Sequence, residues 1–172
     1  MLEYIQTLFS QSKTVVGFED VKYAAQLSLL KTHPCGQECI SDFASNMRNC
    51  VQLPSADIII INTLSNLEQS CLISGTIPYD KEEITINNLL ENSQTMSRII
   101  LYGKNSADES INKKHKQLSI LGFTNVYIYV GGLFEWLLLQ DIYGQSEFPT
   151  TSICRDILKY RPPPKFSYLF ES

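Results

Sequence analysis

The side chains of this 172-residue chain best suited to nucleophilic or metal chemistry are its five cysteines and two histidines. Four of these seven, His33, Cys35, Cys39 and Cys50, fall in one stretch. A Cys-x3-Cys pair with two further donors is enough for a tetrahedral zinc. The second close pair of a structural zinc site is missing, so free thiols are expected and no metal or other cofactor is assigned. Cys71 lies among apolar residues, where cysteine commonly serves as a small buried hydrophobe. As a nucleophile it would need a stabilised thiolate. Cys154 has no histidine near it in sequence and takes no role. His115 shares the inward face of a helical pattern with Ile111 and Leu118, the setting of a packed, hydrogen-bonded imidazole rather than an acid or base. Ser106 and Lys104 have the types of a Ser–Lys pair, without an oxyanion donor or third group to complete it. Gly131-Gly132 lacks the third glycine of a phosphate-binding loop. No residue is assigned a catalytic role.

The bulk composition narrows the classes. Hydrophobic residues make up 44% and charged residues 19%, the balance of a globular domain with ample core material. The formal net charge is −4 and the longest basic tract is Lys113-Lys114, so nucleic acid is not an expected partner. The longest apolar runs, Ile58–Ile61 and Leu137–Leu139, are far short of the roughly 20 residues that cross a bilayer. Met1-Leu2-Glu3-Tyr4 shows no basic region followed by an apolar stretch. With an odd number of scattered cysteines, these features lead us to expect an intracellular, cytoplasmic protein with free thiols and no membrane partner.

The elements follow from periodicity. Leu2, Ile5, Leu8 and Phe9 are spaced as on a short amphipathic helix within 1–13. Residues 14–16 read as a strand and 19–30 as a helix with Val21, Ala24, Ala25 and Leu29 on one face. Ile58–Ile61 and 99–102 are unbroken apolar runs suited to strands buried on both faces. Residues 71–73 and 76–77 read as short extended pieces, and 82–91 as a helix. A further helix is expected from Asn105-Ser106 to Leu121, stopped by Gly122. Residues 126–130 form the next strand, and a helix follows over 134–140. Alternating strands and helices predict an α/β fold with a mostly parallel central sheet and helices on both faces.

One stretch is more specific. Ile99-Ile100-Leu101-Tyr102, then Leu121-Gly122-Phe123-Thr124-Asn125-Val126-Tyr127, then Gly131-Gly132-Leu133-Phe134-Glu135-Trp136 resembles the carboxyl-terminal half of a rhodanese domain. Phe18-Glu19-Asp20-Val21 resembles the start of that family's first helix, and Gly75-Thr76-Ile77-Pro78 a degenerate Gly-His-Ile-Pro. The resemblance spans 14–140, with an enlarged 31–56 segment and a carboxyl-terminal extension over 141–172. It implies a three-layer rhodanese-like domain. The run from Glu135 to Gly144, followed by Phe148-Pro149-Thr150-Thr151, is similar to a rhodanese-like subgroup found in large DNA viruses.

The resemblance also implies what is missing. In active relatives the strand leads into a cysteine, and a loop of inward N–H groups with a helix dipole lowers its pKa and holds an anion. Here the loop is Gly103-Lys104-Asn105-Ser106-Ala107-Asp108, with Gly103 in the nucleophile's place and no arginine. The family's Asp-x-Arg after its central strand is Asn62-Thr63-Leu64. Ser106-Ala107-Asp108-Glu109 has the form of a capping box, which puts two acids in the first helical turn. A positive φ is expected at Gly103. The function implied is a catalytically inactive rhodanese-like module that binds a protein partner. The alternative is a sulfurtransferase using a non-standard cysteine such as Cys71. Phe166, Tyr168 and Phe170 alternate after Pro162-Pro163-Pro164, as an extended ligand or added strand would, and are the partner-binding candidates. Tyr143 and Phe148 are expected to pack on the domain.

Overall fold

The computed structural model describes residues 15–32 and 58–164. The expected helix within 1–13, the cysteine-bearing 33–56 region with His33, Cys35, Cys39 and Cys50, and the Phe166, Tyr168, Phe170 segment lie outside the described residues.

Four parallel strands form the sheet. They are β1 (Val15–Val16), β2 (Ile58–Asn62), β3 (Arg98–Tyr102) and β4 (Val126–Tyr129), in the order β1-β4-β3-β2. Ile59 pairs with Ile99 and Ile99 with Val126. The expected extended piece at 76–77 adds a single parallel bridge, Thr76 to Ile60, on the outer edge of β2. Central β3 is the most buried strand, as its unbroken apolar run requires: Ile99, Ile100, Leu101 and Tyr102 are all buried.

Helices cover both faces. One core joins Val21, Ala24 and Ala25 of α1 (Phe18–Thr32) to Leu133, Trp136 and Leu137 of α4 (Gly132–Tyr143), over Ile60, Ile100, Tyr102 and Tyr129 of the sheet. The other joins Ile86 and Leu89 of α2 (Tyr79–Glu91) to Ile111 and Leu118 of α3 (Ser110–Ile120), over Ile61, Ile99, Leu101 and Val126. This is the three-layer α/β architecture. His115, expected on the inward face of α3, is only half-buried, because Ile111 and Leu118 alone fill that face.

Gly122 ends α3 as expected. Its φ is +96°, its N–H donates to the Ser119 carbonyl, and the Phe123 N–H reaches back to that of Leu118. Those two bonds satisfy carbonyls the helix would leave unpaired. The start of α3 differs from expectation: it begins at Ser110, not at Asn105-Ser106.

Beyond α4 the chain returns over the α1/α4 core. Phe148 stacks edge-on against Trp136 with centroids 5.1 Å apart, and lies 6.0 Å from Phe18. The Trp136 indole N–H donates to the Pro149 carbonyl at 3.2 Å. Residues 149–152 then run antiparallel to 70–74, with an Ile73–Thr150 bridge and a Thr151 N–H to Leu72 carbonyl bond of 2.8 Å. Tyr160, in a 3-10 turn (Ile157–Tyr160), is fully buried. Phe148 thus packs on the domain. The Tyr143 ring is 5.9 Å from that of Phe148, yet Tyr143 remains 62% exposed.

Candidate functional site

In a parallel sheet the loops at the carboxyl ends of the strands share one edge, the usual place for a ligand in such folds. Here that edge brings together Asn62-Thr63 after β2, the 103–109 loop after β3, and Gly131-Gly132 after β4. The 103–108 loop singled out in the sequence follows β3 at this edge. What fills it was not foreseen.

Asp108 organises the loop. Its carboxylate accepts the Lys104 N–H (2.9 Å), the Ser110 N–H (3.0 Å) and the Ser110 hydroxyl (2.6 Å). The first α3 donor is therefore capped by Asp108. The expected Ser106–Glu109 capping box is absent: Ser106 and Glu109 are exposed, and neither side chain caps the helix. No acid stands in the first turn of α3, since Asp108 and Glu109 precede it. The physical reason is local. A carboxylate two residues before Ser110 reaches both its N–H and its hydroxyl, and also folds back on the Lys104 amide, so it binds more donors than Ser106 could.

The same carboxylate accounts for Gly103. Its backbone has no positive φ, contrary to expectation. A Cβ at this position would instead lie 2.5 Å from Asp108 Oδ2 and 2.9 Å from Ile111 Cγ1. Glycine stands there because the space for a side chain is taken. The space beside Gly103 holds the Asp108 carboxylate.

Burial alone would raise the Asp108 pKa, but the bonds from the Lys104 amide and from the Ser110 hydroxyl and amide outweigh it and hold the carboxyl below its usual value. A depressed folded-state pKa contributes stability that is present above the unfolded value of about 4. That stability is lost as pH falls through the folded value. We expect the urea midpoint of the wild type to drop more between pH 5 and pH 3 than that of Asp108→Asn; equal drops in the two proteins would contradict this assignment.

The rest of the loop is also committed. Asn105, 4% exposed, donates from Nδ2 to the Tyr160 carbonyl at 2.7 Å, and its Oδ1 accepts the Ala107 N–H at 3.0 Å. It thereby pins the loop to the returning tail. The Lys104 ammonium pairs with Glu68, which also accepts the Ser65 hydroxyl at 2.8 Å. Although burial opposes it, Lys104 and Ser65 keep the Glu68 carboxyl below its ordinary range. Lys104 is thus neutralised and not joined to Ser106. Across the loop, the Leu133 and Phe134 N–H groups at the start of α4 donate to the Gly103 and Lys104 carbonyls at 2.9 and 3.0 Å. A helix N-terminus that would otherwise attract an anion is satisfied by the loop itself. Ser110 Oγ closes the far side at 2.7 Å from Thr63 Oγ1.

Cys71 is not brought into this loop's bonding. It is 1% exposed, its thiol donates to the Ser152 carbonyl at 3.3 Å, and burial foremost pushes its pKa up. No group of three or more His, Cys, Asp or Glu suited to a metal occurs among the described residues. No helix among them is long and apolar enough to cross a membrane. Sequence reading missed Asp108 as the loop's centre, the Asn105–Tyr160 tie and the Lys104–Glu68 pair. Only the last had a readable trace, the Ser65-x-x-Glu68 pattern of a capping box, which is formed here.

No family model matches the chain, and no curated protein matches it either. Solved structures do. The Rhodanese_3 like domain from the Anabaena sp. Alr3790 protein aligns at 20% identity and a TM-score of 0.39, covering 55% of this chain and 99% of that one. The Bacillus halodurans BH2092 protein aligns at 18% identity and a TM-score of 0.46, covering 83% and 82%. A crystal structure of the Anabaena Alr3790 protein aligns at 21% identity and a TM-score of 0.41, covering 62% and 86%.

Proposed function

We propose that the chain is a rhodanese-like domain without the family's nucleophile, serving as a protein-binding, scaffold or regulatory module. The family part of the reading rests on the 99–138 pattern, whose motifs fall at matching points of the fold: β3, the Gly122-Phe123 stop of α3, β4, the Gly131-Gly132 turn and the buried Trp136 of α4. The observation that carries the functional part is the Asp108 carboxylate in the space beside Gly103. Sulfur transfer by this loop needs a thiolate and an open set of N–H donors. The loop has no thiol, and Asp108 uses the Lys104 donor. Cys71, the alternative nucleophile, is buried with a raised pKa, which disfavours a thiolate.

The partner is a protein, and its contact is the aromatic segment Phe166, Tyr168 and Phe170. The similarity of 135–151 to the viral subgroup supports a site of action in the host cytoplasm or the virion. Two measurements test the proposal. Thiosulfate:cyanide assays on the wild type and on each Cys→Ala variant should give background rates throughout; turnover abolished by Cys71→Ala would establish the sulfurtransferase reading instead. Deletion of 161–172 should leave the melting temperature nearly unchanged and weaken partner capture. A large fall in melting temperature would assign those aromatics to the core.

A further inference from the structure

Two thiols outside the loop border the seam between the returning tail and the domain. The Ile73–Thr150 bridge sets the register of the antiparallel pairing, which puts Cys71 opposite Ser152. Cys154 follows two residues later, beyond the last paired residue. A disulfide between them would need Cα atoms roughly 4.4–6.8 Å apart. Residues 153–156 belong to no helix or strand, so closing to that distance breaks no ladder or helix bond. Both sulfurs already belong to one apolar cluster. Cys71 is buried in it, and Cys154 packs against it while keeping some exposure.

We propose that Cys154 is a modification site for low-molecular-weight disulfides of the glutathione class, and that Cys71 resolves the adduct into a Cys71–Cys154 bridge. The order follows from access. The partly exposed Cys154 thiolate attacks a sulfur of the small disulfide, forming the mixed disulfide and releasing one small thiolate. Cys71 then loses its proton and attacks Cys154 Sγ, expelling the second small thiolate. The protein gives up two electrons and two protons, and one disulfide is reduced to two thiols. Burial, and after it the neighbouring Cys154, raise the Cys71 pKa, so the second step is slow near neutrality and quickens with pH. The Lys159 ammonium lies over the Tyr160 ring, 4.7 Å from its centroid, and its pKa is raised first by Tyr160 and further by both sulfurs.

The bridge would close a long loop and lock the 149–160 return onto the core, together with the Tyr160 carbonyl that holds Asn105. Redox state is thereby linked to the rigidity of the 103–109 loop, independently of whether that loop binds a partner.

The test is native treatment with oxidised glutathione across pH, then non-reducing peptide mapping of the full chain. In the wild type we expect linked Cys71 and Cys154 peptides, two hydrogens lighter than the reduced pair and restored by dithiothreitol. In Cys71→Ser the glutathione adduct should accumulate on Cys154 instead. In Cys154→Ser, a milder change at a partly exposed site, Cys71 should stay reduced. A wild type that stops at the Cys154 adduct, a Cys154 that never reacts, or a Cys71 that is modified in Cys154→Ser would each overturn the proposal.

Discussion

Replacing Gly132 by alanine should cost about 3 kcal/mol of folding stability, the sum of two effects of roughly equal size. The first is backbone strain. Gly132 has a φ of +61°, a left-handed conformation that costs a residue with a Cβ about 1–2 kcal/mol. The second is steric. The new Cβ would lie 2.6 Å from the Gly103 carbonyl oxygen, 2.9 Å from the Asn105 nitrogen and 3.0 Å from the Lys104 carbonyl carbon. All three are backbone atoms, so no side chain can swing aside. Relief requires the loop to move off the α4 N-terminus, which stretches the Leu133 and Phe134 N–H bonds to it. Weakening those bonds adds about 1–2 kcal/mol. Urea unfolding measures the loss. Gly17→Ala is the control, since its Cβ meets nothing within 4 Å and its φ is not in the left-handed region; it should stay within about 0.5 kcal/mol. Equal effects at the two positions would mean that Gly132 does not hold the loop against the helix.

The residues that fix the fold were largely legible in sequence because they act through pattern. The four-isoleucine run Ile58–Ile61 and the 99–102 run could be satisfied only by strands buried on both faces, and they occupy neighbouring positions in the sheet. Gly122 was readable as a helix stop because a left-handed residue after the last turn is strongly glycine-selective. The loop was less legible. Ser-x-x-Glu at 106–109 satisfies the capping-box pattern, yet Asp108 wins the contest for donors through a three-bond arrangement that involves Lys104, four residues back. Sequence spacing shows that a cap is available. It does not rank competing acceptors by how many donors each can reach. The Asn105–Tyr160 tie was invisible for a different reason. It joins residues 55 apart, and nothing in a single chain's pattern announces that a tail carbonyl will descend onto a loop amide. Gly103 shows a third kind of limit: sequence suggests a conformational reason for a glycine first, and here a Cβ would meet occupied space.

These particulars bear on the proposed absence of a nucleophile. Loss of a nucleophile alone would leave an open anion cradle, ready for phosphate or sulfate. Here the cradle is closed by charge and by hydrogen bonds from within: Asp108 takes the Lys104 amide, Glu68 takes the Lys104 ammonium, and the loop carbonyls take the first amides of α4. On the proposed reading, a single substitution in this loop is therefore not expected to give sulfur transfer.

The most direct test is the thiol pKa of Gly103→Cys, measured by alkylation rate across pH alongside thiosulfate turnover. The new sulfur would stand beside the Asp108 carboxylate, whose nearest oxygen is 2.5 Å from the Cβ position, with Ile111 Cγ1 at 2.9 Å. A neighbouring negative charge and an apolar wall both disfavour the thiolate. We predict a pKa at or above the free value of about 8.5, with turnover no higher than wild type. Adding Asp108→Ser should lower that pKa, because it removes the charge and frees the Lys104 amide. A Gly103→Cys thiol with a pKa well below about 7, together with rapid sulfur transfer, would contradict the account: the anion cradle would then be intact, and only the nucleophile lost.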